Sequence, residues 1–309
     1  MRDKILVIGG ASMDFTMRVR KLPAAGESTT EDNRFSYAAG GSGALAALTV
    51  ARLGGNAVFV GRVGSDVHGN RLLRVYGDAG LDTSYVTVDR RSPTAMRVIM
   101  QEDNGNSRAV CYPGANANIG AAEIERAIED TTPTAIYLQM DLPLDALIAA
   151  SRMAESYGIP LCADAGGISP DFPVGSLAPF EIFAADDKEM QLLTGTFPIG
   201  TDSCLKAAVE LEKKIKAKYY LIKLGERGIF VYDGRYCHMI PGFGVRMSDG
   251  KTLCEAITTA ILLEYRTGEG NIQAACRFGL GLNALLQKNS ADPTYYPSAE
   301  EIRAFAEKH

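Results

Sequence analysis

The chain has 309 residues, of which 46% are hydrophobic and 22% charged, and its formal net charge at pH 7 is -5. This is the composition of a folded globular protein, and it excludes a disordered tail, a collagen and a disulfide-stapled mini-domain. The balance of 32 Lys and Arg against 37 Asp and Glu disfavours nucleic acid as a partner, because neutralising phosphates requires clustered basic residues.

Cysteine and histidine usage gives no sign of a metal site or a disulfide framework. The six cysteines include no CxxC pair, and the three histidines lie far apart in the sequence. Reduced, mostly buried thiols in a cytoplasmic protein are therefore expected. The N-terminal charges precede only a short apolar run, and no later stretch reaches the about 18 apolar residues of a membrane span. We predict neither a signal peptide nor a membrane partner.

The N-terminal part begins with a strand and continues with a helical crossover. Residues 4–8 (KILVI) form an apolar, β-branched run that ends at two glycines, as expected of a buried parallel strand. A helix is predicted from Gly43 to Leu53, and the apolar run NAVFVGRVG behind it predicts the next strand. A second helix is predicted from His68 to Ala79, because Gly80 supplies a stop.

Two segments interrupt this pattern. Residues 15–37 and 94–112 alternate polar and apolar side chains, which predicts exposed antiparallel strands. Neither segment is long enough for a domain of its own. Together they predict one small sheet over the mouth of the larger unit, where ligands of open α/β sheets bind.

From Ala135 onward, apolar strands alternate regularly with helices. The strands are AIYLQ, PLCAD, EIFAA and YYLIKLG, and the helical stretches lie near 143–157, 187–194 and 201–217. Two more helices are expected between Thr252 and Gln287, and a last one begins at a Ser298 cap. This alternation predicts an α/β fold with a mostly parallel, doubly wound sheet.

Eight motifs follow one another at regular spacings along nearly the whole chain. They are GGASMD (9–14), LPAAGE (22–27), GGSGALAALTVARLGG (40–55), VGSDVHGNRLL with AGLDTSYV behind it (63–86), PGANANI (113–119), QMDLPL (139–144), DDKEMQLLTG (186–195) and KLGERGIFVYDG (223–234). In this order they resemble the ribokinase-like (PfkB) family of sugar and nucleoside kinases. The resemblance implies one domain over residues 1–309, a three-layer α/β/α sandwich whose β-sheet lid is formed by 15–37 and 94–112.

The resemblance also implies an activity. Members of the family are ATP-dependent kinases that transfer the γ-phosphate to a hydroxymethyl group, with Mg²⁺ and often a monovalent cation. The expected partners are a nucleotide and a sugar or nucleoside, and the apolar residues at 94–100 would permit a homodimer through the lid. The residues that distinguish pentoses, hexoses and nucleosides as substrates lie in the variable lid segments. The sequence therefore does not identify the acceptor.

The expected acceptor site lies in the first motifs. Asp14 resembles the carboxylate that accepts hydrogen bonds from two sugar hydroxyls, and the alternative is a helix or turn cap. Gly40 and Gly41 correspond to the pair that lets the sugar approach the backbone, with Ser42 beside them, or they form a plain loop before a helix. Asp141 stands where the family has a Glu that touches the sugar or the lid, and a strand-end aspartate is the alternative.

The expected nucleotide site lies in the later motifs. Asp186 and Glu189 align with the family's Asn-x-x-Glu, which organises water around magnesium and the phosphates, and their spacing predicts one shared helix face. The alternative for this pair is an exposed acidic helix start. Lys223 and Gly225 lie on the nucleotide side, where Lys223 would meet phosphate or be a surface lysine. Asn283 is the further nucleotide-binding candidate.

The strongest family signature, D-T-x-G-A-G-D-x-F at a helix start, is rewritten as RMSDGKTLC over 246–254. The helix sequence behind it aligns without a gap and places Thr252 where the family has the Asp that deprotonates the attacking hydroxyl. A neutral hydroxyl cannot do this near pH 7, and losing a general base typically costs about 10² to 10⁴ in rate. Asp249 is the candidate for a relocated base, in a turn that Gly250 and Lys251 complete.

Other positions of the site are altered too. Lys251 replaces the last glycine of the anion-binding turn, and its charge would be met by a phosphate ligand, by Asp249 or by Glu255. Arg246 replaces an Asp of the monovalent-cation site and, by analogy, could supply that cation's charge. Leu45 stands in place of a sugar-binding Asn. Two functions therefore remain open, a sugar or nucleoside kinase with an altered catalytic turn and a pseudokinase that binds a sugar, nucleotide or other anion without transfer.

Overall fold

The computed structural model describes residues 3–31, 34–104, 106–169, 172–245, 254–289 and 295–309. Strands alternate with helices along these ranges. The strands are β1 (Lys4–Ile8), β2 (Ser12–Val19), β3 (Phe35–Gly40), β4 (Asn56–Gly64), β5 (Val86–Asp89), β6 (Ala95–Glu102), β7 (Ser107–Tyr112), β8 (Ala135–Gln139), β9 (Leu161–Asp164), β10 (Phe180–Asp186), β11 (Ala217–Lys223), β12 (Gly228–Tyr232) and β13 (Cys237–Pro241).

The helices follow the strands as crossovers, as the apolar periodicity predicts. They are α1 (Ser42–Arg52), α2 (Val67–Asp78), α3 (Ala121–Thr131), α4 (Leu144–Tyr157), α5 (Asp187–Thr194), α6 (Thr201–Glu212), α7 (Cys254–Thr267), α8 (Ile272–Lys288) and α9 (Ala299–Lys308). In the described ranges, no helix is long and apolar enough to cross a membrane.

The large sheet has the strand order β13-β12-β11-β10-β9-β8-β1-β4-β5. All pairs from β11 to β5 are parallel, and only β12 and β13 are antiparallel at one edge. The central strands are buried on both faces, which explains why they are continuous apolar runs. Their carboxyl ends lie at one edge of the sheet, where open α/β folds bind ligands.

Two apolar layers cover the faces of this sheet. One layer packs α1, α2, α7, α8 and α9 against it, and the other packs α3, α4, α5 and α6 on the opposite side. The three-layer α/β/α architecture and its mostly parallel sheet are therefore confirmed. The cysteine side chains that the structure describes are free thiols, of which Cys111 is exposed.

A second sheet of four strands, in the order β3-β2-β6-β7, stands apart from the large one. Strand β2 pairs in parallel with β6, and the two outer pairs are antiparallel. Among the described residues of the segment predicted over 15–37, those at the two ends form strands, and β2 begins earlier, at Ser12. Pro23 and Gly26 (φ 85°) lie in the connecting loop, since a proline cannot donate to a strand ladder.

Helix ends agree with the local signals in the sequence. Ser298 caps α9, accepting a hydrogen bond from Glu301 N, while Glu301 accepts one from Ser298 N. The break between α7 and α8 falls at the glycines after Thr267, as expected. The expected helix start at Thr252 lies outside the described residues.

Candidate active site

The sugar-binding candidate Asp14 lies within β2, in the small sheet, and is not a helix or turn cap. The Ser12 hydroxyl donates to its Oδ1 at 2.8 Å. Gly40, at the end of the neighbouring β3, lies so close that a Cβ there would overlap the Asp14 carboxylate. A side chain at position 40 would therefore displace the Asp14 carboxylate from its observed position.

The chain then enters α1 through Gly41, whose φ of 91° is strained for any residue with a side chain. A Cβ on Gly41 would also lie 2.6 Å from Ala11 Cα and Gly10 O. Ser42 begins the helix half-buried, with Leu45 one turn further on. The turn thus brings the backbone at the start of α1 against the residues that follow β1.

Asp141 follows β8. The backbones of Gly10 and Gly167 lie against its side chain, and the residue is exposed to solvent. Desolvation and the neighbouring charge of Glu255 raise its pKa to about 7.

A buried charged network lies at the ends of β9 and β11. The Lys223 ammonium forms an ion pair with Asp164, and their side chains are 4% and 2% exposed. The Thr258 hydroxyl of α7 donates to Asp164 at 2.6 Å and accepts from Lys223 at 3.4 Å. Lys223 is therefore no surface lysine, and the described contacts direct its ammonium towards Asp164.

Asp186 and Glu189 form a reciprocal capping box at the start of α5. Glu189 N donates to Asp186 Oδ1 at 2.8 Å, and Asp186 N donates to Glu189 Oε2 at 2.7 Å. The expectation that both lie on one helix face is wrong, because Asp186 ends β10 and is the N-cap. Burial raises the pKa of Glu189 to about 7, with Asp164 and Asp186 adding to the rise and Lys223 opposing it.

The nucleotide-side candidates Gly225 and Asn283 meet in one depression beyond Lys223. Asn283, on α8, is 8% exposed, and in the described part of the chain its Oδ1 has no hydrogen-bond partner. Gly225 follows β11 in a short 3-10 turn with φ 62°. The depression is lined by Gly225, Glu226, Gly242, Phe243, Val245, Leu280, Asn283 and Ala284.

The rewritten signature lies outside the described residues. This applies to Arg246, Asp249, Gly250, Lys251 and Thr252. The structure therefore neither supports nor opposes the roles expected of them, and those roles stay predictions.

Sequence reasoning missed several residues of the site. Asn116, in the PGANANI motif, accepts from Ala11 N at 3.2 Å and donates to Ala11 O at 3.1 Å, which fixes the loop between β1 and β2. Asp164 and Thr258 gain their importance only from the buried Lys223. The one signal for Asp164 is its position at a strand end, as the last residue of PLCAD.

The fold defines a ribokinase-like α/β protein, and Asp141, Asp164 and Lys223 lie at the carboxyl ends of its parallel strands. Residues 2–249 match the pfkB family carbohydrate kinase. The chain belongs to this family, and the predicted resemblance is confirmed.

Individual relatives cover the whole chain. The ribokinase of Haemophilus influenzae is 26% identical over 315 residues, which span 99% of each protein. The ATP-dependent ribose-1-phosphate kinase of Halopiger xanaduensis is 28% identical over 307 residues, covering 98% of this chain and 97% of the relative. The structure of Arabidopsis thaliana ribokinase complexed with ribose and ATP superposes with a TM-score of 0.83 at 23% identity, covering 99% of each chain.

Proposed function

We propose that this chain is an ATP-dependent kinase that transfers the γ-phosphate to a hydroxymethyl group of a sugar or nucleoside. The observation that carries the proposal is the meeting of two sites at one sheet edge. Asp141 follows β8, and the contact between Asp14 and Gly40 lies beside the residues that follow β1. The buried Lys223–Asp164 pair ends β11 and β9, and the depression at Asn283 includes Gly225, two residues after Lys223. A transferase needs this arrangement, because the two substrates must approach each other end to end.

The acceptor side is built for a polyhydroxylated molecule. Asp14 is fixed by Ser12 and half-buried, so its carboxylate can accept hydrogen bonds from two hydroxyls. The missing side chains at Gly40 and Gly41 leave room for the Asp14 carboxylate and for the backbone of Gly10 and Ala11, which holds the acceptor candidate Asp14 at the start of α1. Sugars are also the acceptors named in the relatives' descriptions, as ribose and ribose 1-phosphate.

The nucleotide side supports ATP as the donor. Asn283 Oδ1 is buried with no partner in the described part of the chain, and a buried acceptor of this kind is normally hydrogen-bonded. The exocyclic amino group of adenine is a donor that fits it. The Arabidopsis relative with the same fold was solved with ATP and ribose together.

Magnesium fits the site as a phosphate-bound ion. Among the described residues, no group of three or more His, Cys, Asp and Glu side chains could hold a metal by itself. Mg²⁺ is usually held by one or two carboxylates, waters and substrate phosphates. Asp186 and Glu189 each commit one oxygen to the capping box, which leaves their other oxygens for magnesium-bound waters. When bound, the ion would offset the charge of the phosphates.

The test is ADP formation from Mg-ATP over a panel of sugars and nucleosides. Asp14→Asn removes the charge that orders the acceptor, so we expect kcat/KM for the acceptor to fall at least about 100-fold. Asn283→Leu should weaken ATP-dependent thermal stabilisation, because a ligand that binds only the folded state must raise its melting temperature. The exposed Asn70 of α2 provides the matched control, as Asn70→Leu. Stabilisation by ATP that is equal in both asparagine variants would contradict the proposed base contact.

A pseudokinase is the second candidate, and Thr252 in place of the catalytic Asp is the observation that favours it. The Thr252→Asp variant separates the two functions. Turnover by the unmodified protein establishes a kinase. Turnover by the variant alone shows that both pockets survive without their base, and the natural protein is then a binding protein.

A homodimer through the small sheet is part of the proposal. One face of this sheet carries large apolar side chains that are 42% to 68% exposed, namely Met17, Phe35, Tyr37, Val98, Val110 and Tyr112. A contiguous apolar face of this kind indicates an interaction surface. Val98→Lys with Val110→Glu should yield a monomer by light scattering. Ile199→Lys, at an exposed apolar residue between α5 and α6, should leave the assembly unchanged.

A further inference from the structure

A cavity of about 340 Å³ lies at the carboxyl ends of β4 and β5, and none of its lining residues belongs to the candidate active site. This volume is at the lower end of the range found for small-molecule sites. Arginine is the most frequent residue in the lining, which consists of Arg62, Val88, Asp89, Arg90, Arg91 and Asn118. The chain as a whole carries a net charge of -5, so three arginines around one cavity are a local exception to its acidity.

Asp89 is the buried residue of this lining, and its carboxylate organises the network beneath the cavity. Its Oδ2 accepts from Arg62 Nε at 3.0 Å and from Asn118 Nδ2 at 2.9 Å. Its Oδ1 accepts from the backbone N–H groups of Arg91 at 2.7 Å and of Ser92 at 3.0 Å. Both oxygens of Asp89 are therefore occupied, and its charge is matched by that of Arg62.

The arginines around the cavity outnumber the carboxylates that face them. Glu123 accepts from Arg62 Nη1 at 2.8 Å, so Arg62 lies between two carboxylates and its Nη2 group has no partner among the described residues. Arg90 and Arg91 are exposed, and within the described ranges neither guanidinium group forms a hydrogen bond or an ion pair. When Asp89 and Glu123 are set against the three arginines, one positive charge remains in excess.

Phosphate is the ligand chemistry that fits these donors. Guanidinium groups bind phosphate through paired N–H···O hydrogen bonds, and a phosphate monoester carries a charge of about -1.5 to -2 at pH 7. A carboxylate, with one charge and two oxygens, would satisfy fewer of these donors. Since a water molecule takes up about 30 Å³ of liquid, the cavity has room for a phosphate group and the organic part of a small molecule.

The cavity lies where the chain passes between the two sheets. Residues 90–94 lead from β5 into β6 of the small sheet, and β7 returns to the body through the 3-10 turn Gly114–Asn118. Asn118 Nδ2 donates to Ser92 Oγ at 2.8 Å, and its carbonyl accepts from Arg62 Nη1 at 2.8 Å. A ligand in the cavity would therefore contact both connections and the body strand β4 at once.

We propose that this cavity binds the phosphate group of a small phosphorylated molecule, and that the bound group restrains the connection 90–94 at the base of the small sheet. Arg90 and Arg91 hold the phosphate from the connection, and Arg62 holds it from β4. The bound group thus joins the small sheet to the body in addition to the chain itself. The inference goes beyond the proposed kinase function and requires no turnover.

Titration calorimetry at constant ionic strength measures the binding, with glycerol 3-phosphate as the monoester, inorganic phosphate as the second probe and glycerol as the blank. Arg90→Gln with Arg91→Gln removes the two exposed guanidinium groups. We expect its dissociation constant for the monoester to rise at least about 10-fold, because charge-assisted hydrogen bonds are lost. Arg152→Gln with Arg235→Gln is the matched control, since it removes the same charge from exposed residues of α4 and of the β12–β13 turn.

A further variant tests the site with all its arginines in place. Val88 is 46% exposed and lines the cavity, so Val88→Glu puts a carboxylate where the phosphate would lie. We expect it to weaken monoester binding by at least about 10-fold as well. Val67→Glu, at a residue of α2 that is 73% exposed, adds the same charge outside the lining and should bind as the unmodified protein does.

Hydrogen exchange tests the restraint on the connection. The amides of Arg91 and Ser92 donate to Asp89, so they exchange only when this connection opens. With the monoester at about ten times its dissociation constant, their exchange should slow by about 10-fold in the unmodified protein. The Arg90→Gln, Arg91→Gln variant should show no such slowing at the same concentration.

The outcomes separate the parts of the inference. If the unmodified protein binds neither probe, or if the arginine double variant keeps its affinity within about twofold, the phosphate site is wrong. Phosphate held at the nucleotide site would give the second result, because these variants leave that site intact. Unchanged exchange despite binding would refute the restraint. Equal affinity for inorganic phosphate and the monoester supports the phosphate site and identifies free phosphate as its occupant. Failure of the kinase proposal would alter none of these results.

Discussion

The buried pair of Lys223 and Asp164 gives the sharpest prediction for stability. Lys223→Met keeps the length and apolar stem of the side chain but leaves the Asp164 carboxylate charged and 2% exposed. The Thr258 hydroxyl and the Gly166 N–H then remain as its donors, and neither carries a charge. Removing one partner of a buried ion pair typically destabilises a protein by about 3 to 5 kcal/mol, because the remaining charge is uncompensated.

This free energy corresponds to a measurable shift in melting temperature. With about 2.1 cal/mol/K of unfolding entropy per residue, a chain of 309 residues has an unfolding entropy of about 0.65 kcal/mol/K. Lys223→Met should therefore lower the melting temperature by roughly 5 to 8 °C. Differential scanning calorimetry measures the shift directly.

The rescue and the control decide the cause. In the double variant Lys223→Met, Asp164→Asn, the buried charge is gone and the amide can still accept from Thr258, so most of the stability should return. Lys218→Met, on the same strand, breaks a partly exposed pair with Glu181 and should cost about 1 kcal/mol or less. A shift below about 1 °C for Lys223→Met, or no recovery in the double variant, would refute the buried-charge explanation.

Two further predictions concern single groups. Gly40→Ala places a Cβ onto the Asp14 carboxylate and should raise KM for the acceptor about 10- to 100-fold without changing ATP binding, whereas Gly77→Ala, in open space on α2, should be neutral or stabilising. Asp66 is the N-cap of α2, and its pKa lies below the ordinary 3.8, because hydrogen bonds from two N–H groups and a hydroxyl outweigh its partial desolvation. Charged Asp66 therefore stabilises the folded state above about pH 4, and this stabilisation is lost as the pH falls through the folded pKa. Asp66→Asn should lower the denaturation midpoint at pH 7 and much less at pH 3.

Local signals in the sequence predict the fold well. The apolar runs, and the glycines that follow the helices, depend only on residues close to them in the sequence. They therefore predict the order of the strands and helices. The Ser298 cap is a case in which side chain and backbone partners lie three residues apart. Asp186 and Glu189, also three residues apart, form a capping box in the same way.

The site is less predictable because its partners are distant in the chain. Lys223 and Asp164 are 59 residues apart, and Thr258 lies 94 residues from Asp164, so no spacing rule connects them. Glu255 follows the rewritten signature directly, but the direction of its side chain depends on how α7 packs against α1. Such placements follow from tertiary packing and could not be deduced from periodicity.

The position of Asp14 on the small sheet has a thermodynamic consequence. The loop from Ile8 to Ser12 connects β1 directly to β2, and Gly40 leads from β3 directly into α1. A rotation of the small sheet therefore displaces the carboxylate that would hold the acceptor. If only a fraction of molecules has the sheet in the binding orientation, the apparent affinity for the acceptor falls by that fraction. Contacts that hold the small sheet in place, far from Asp14, would then change the affinity for the acceptor without touching the acceptor.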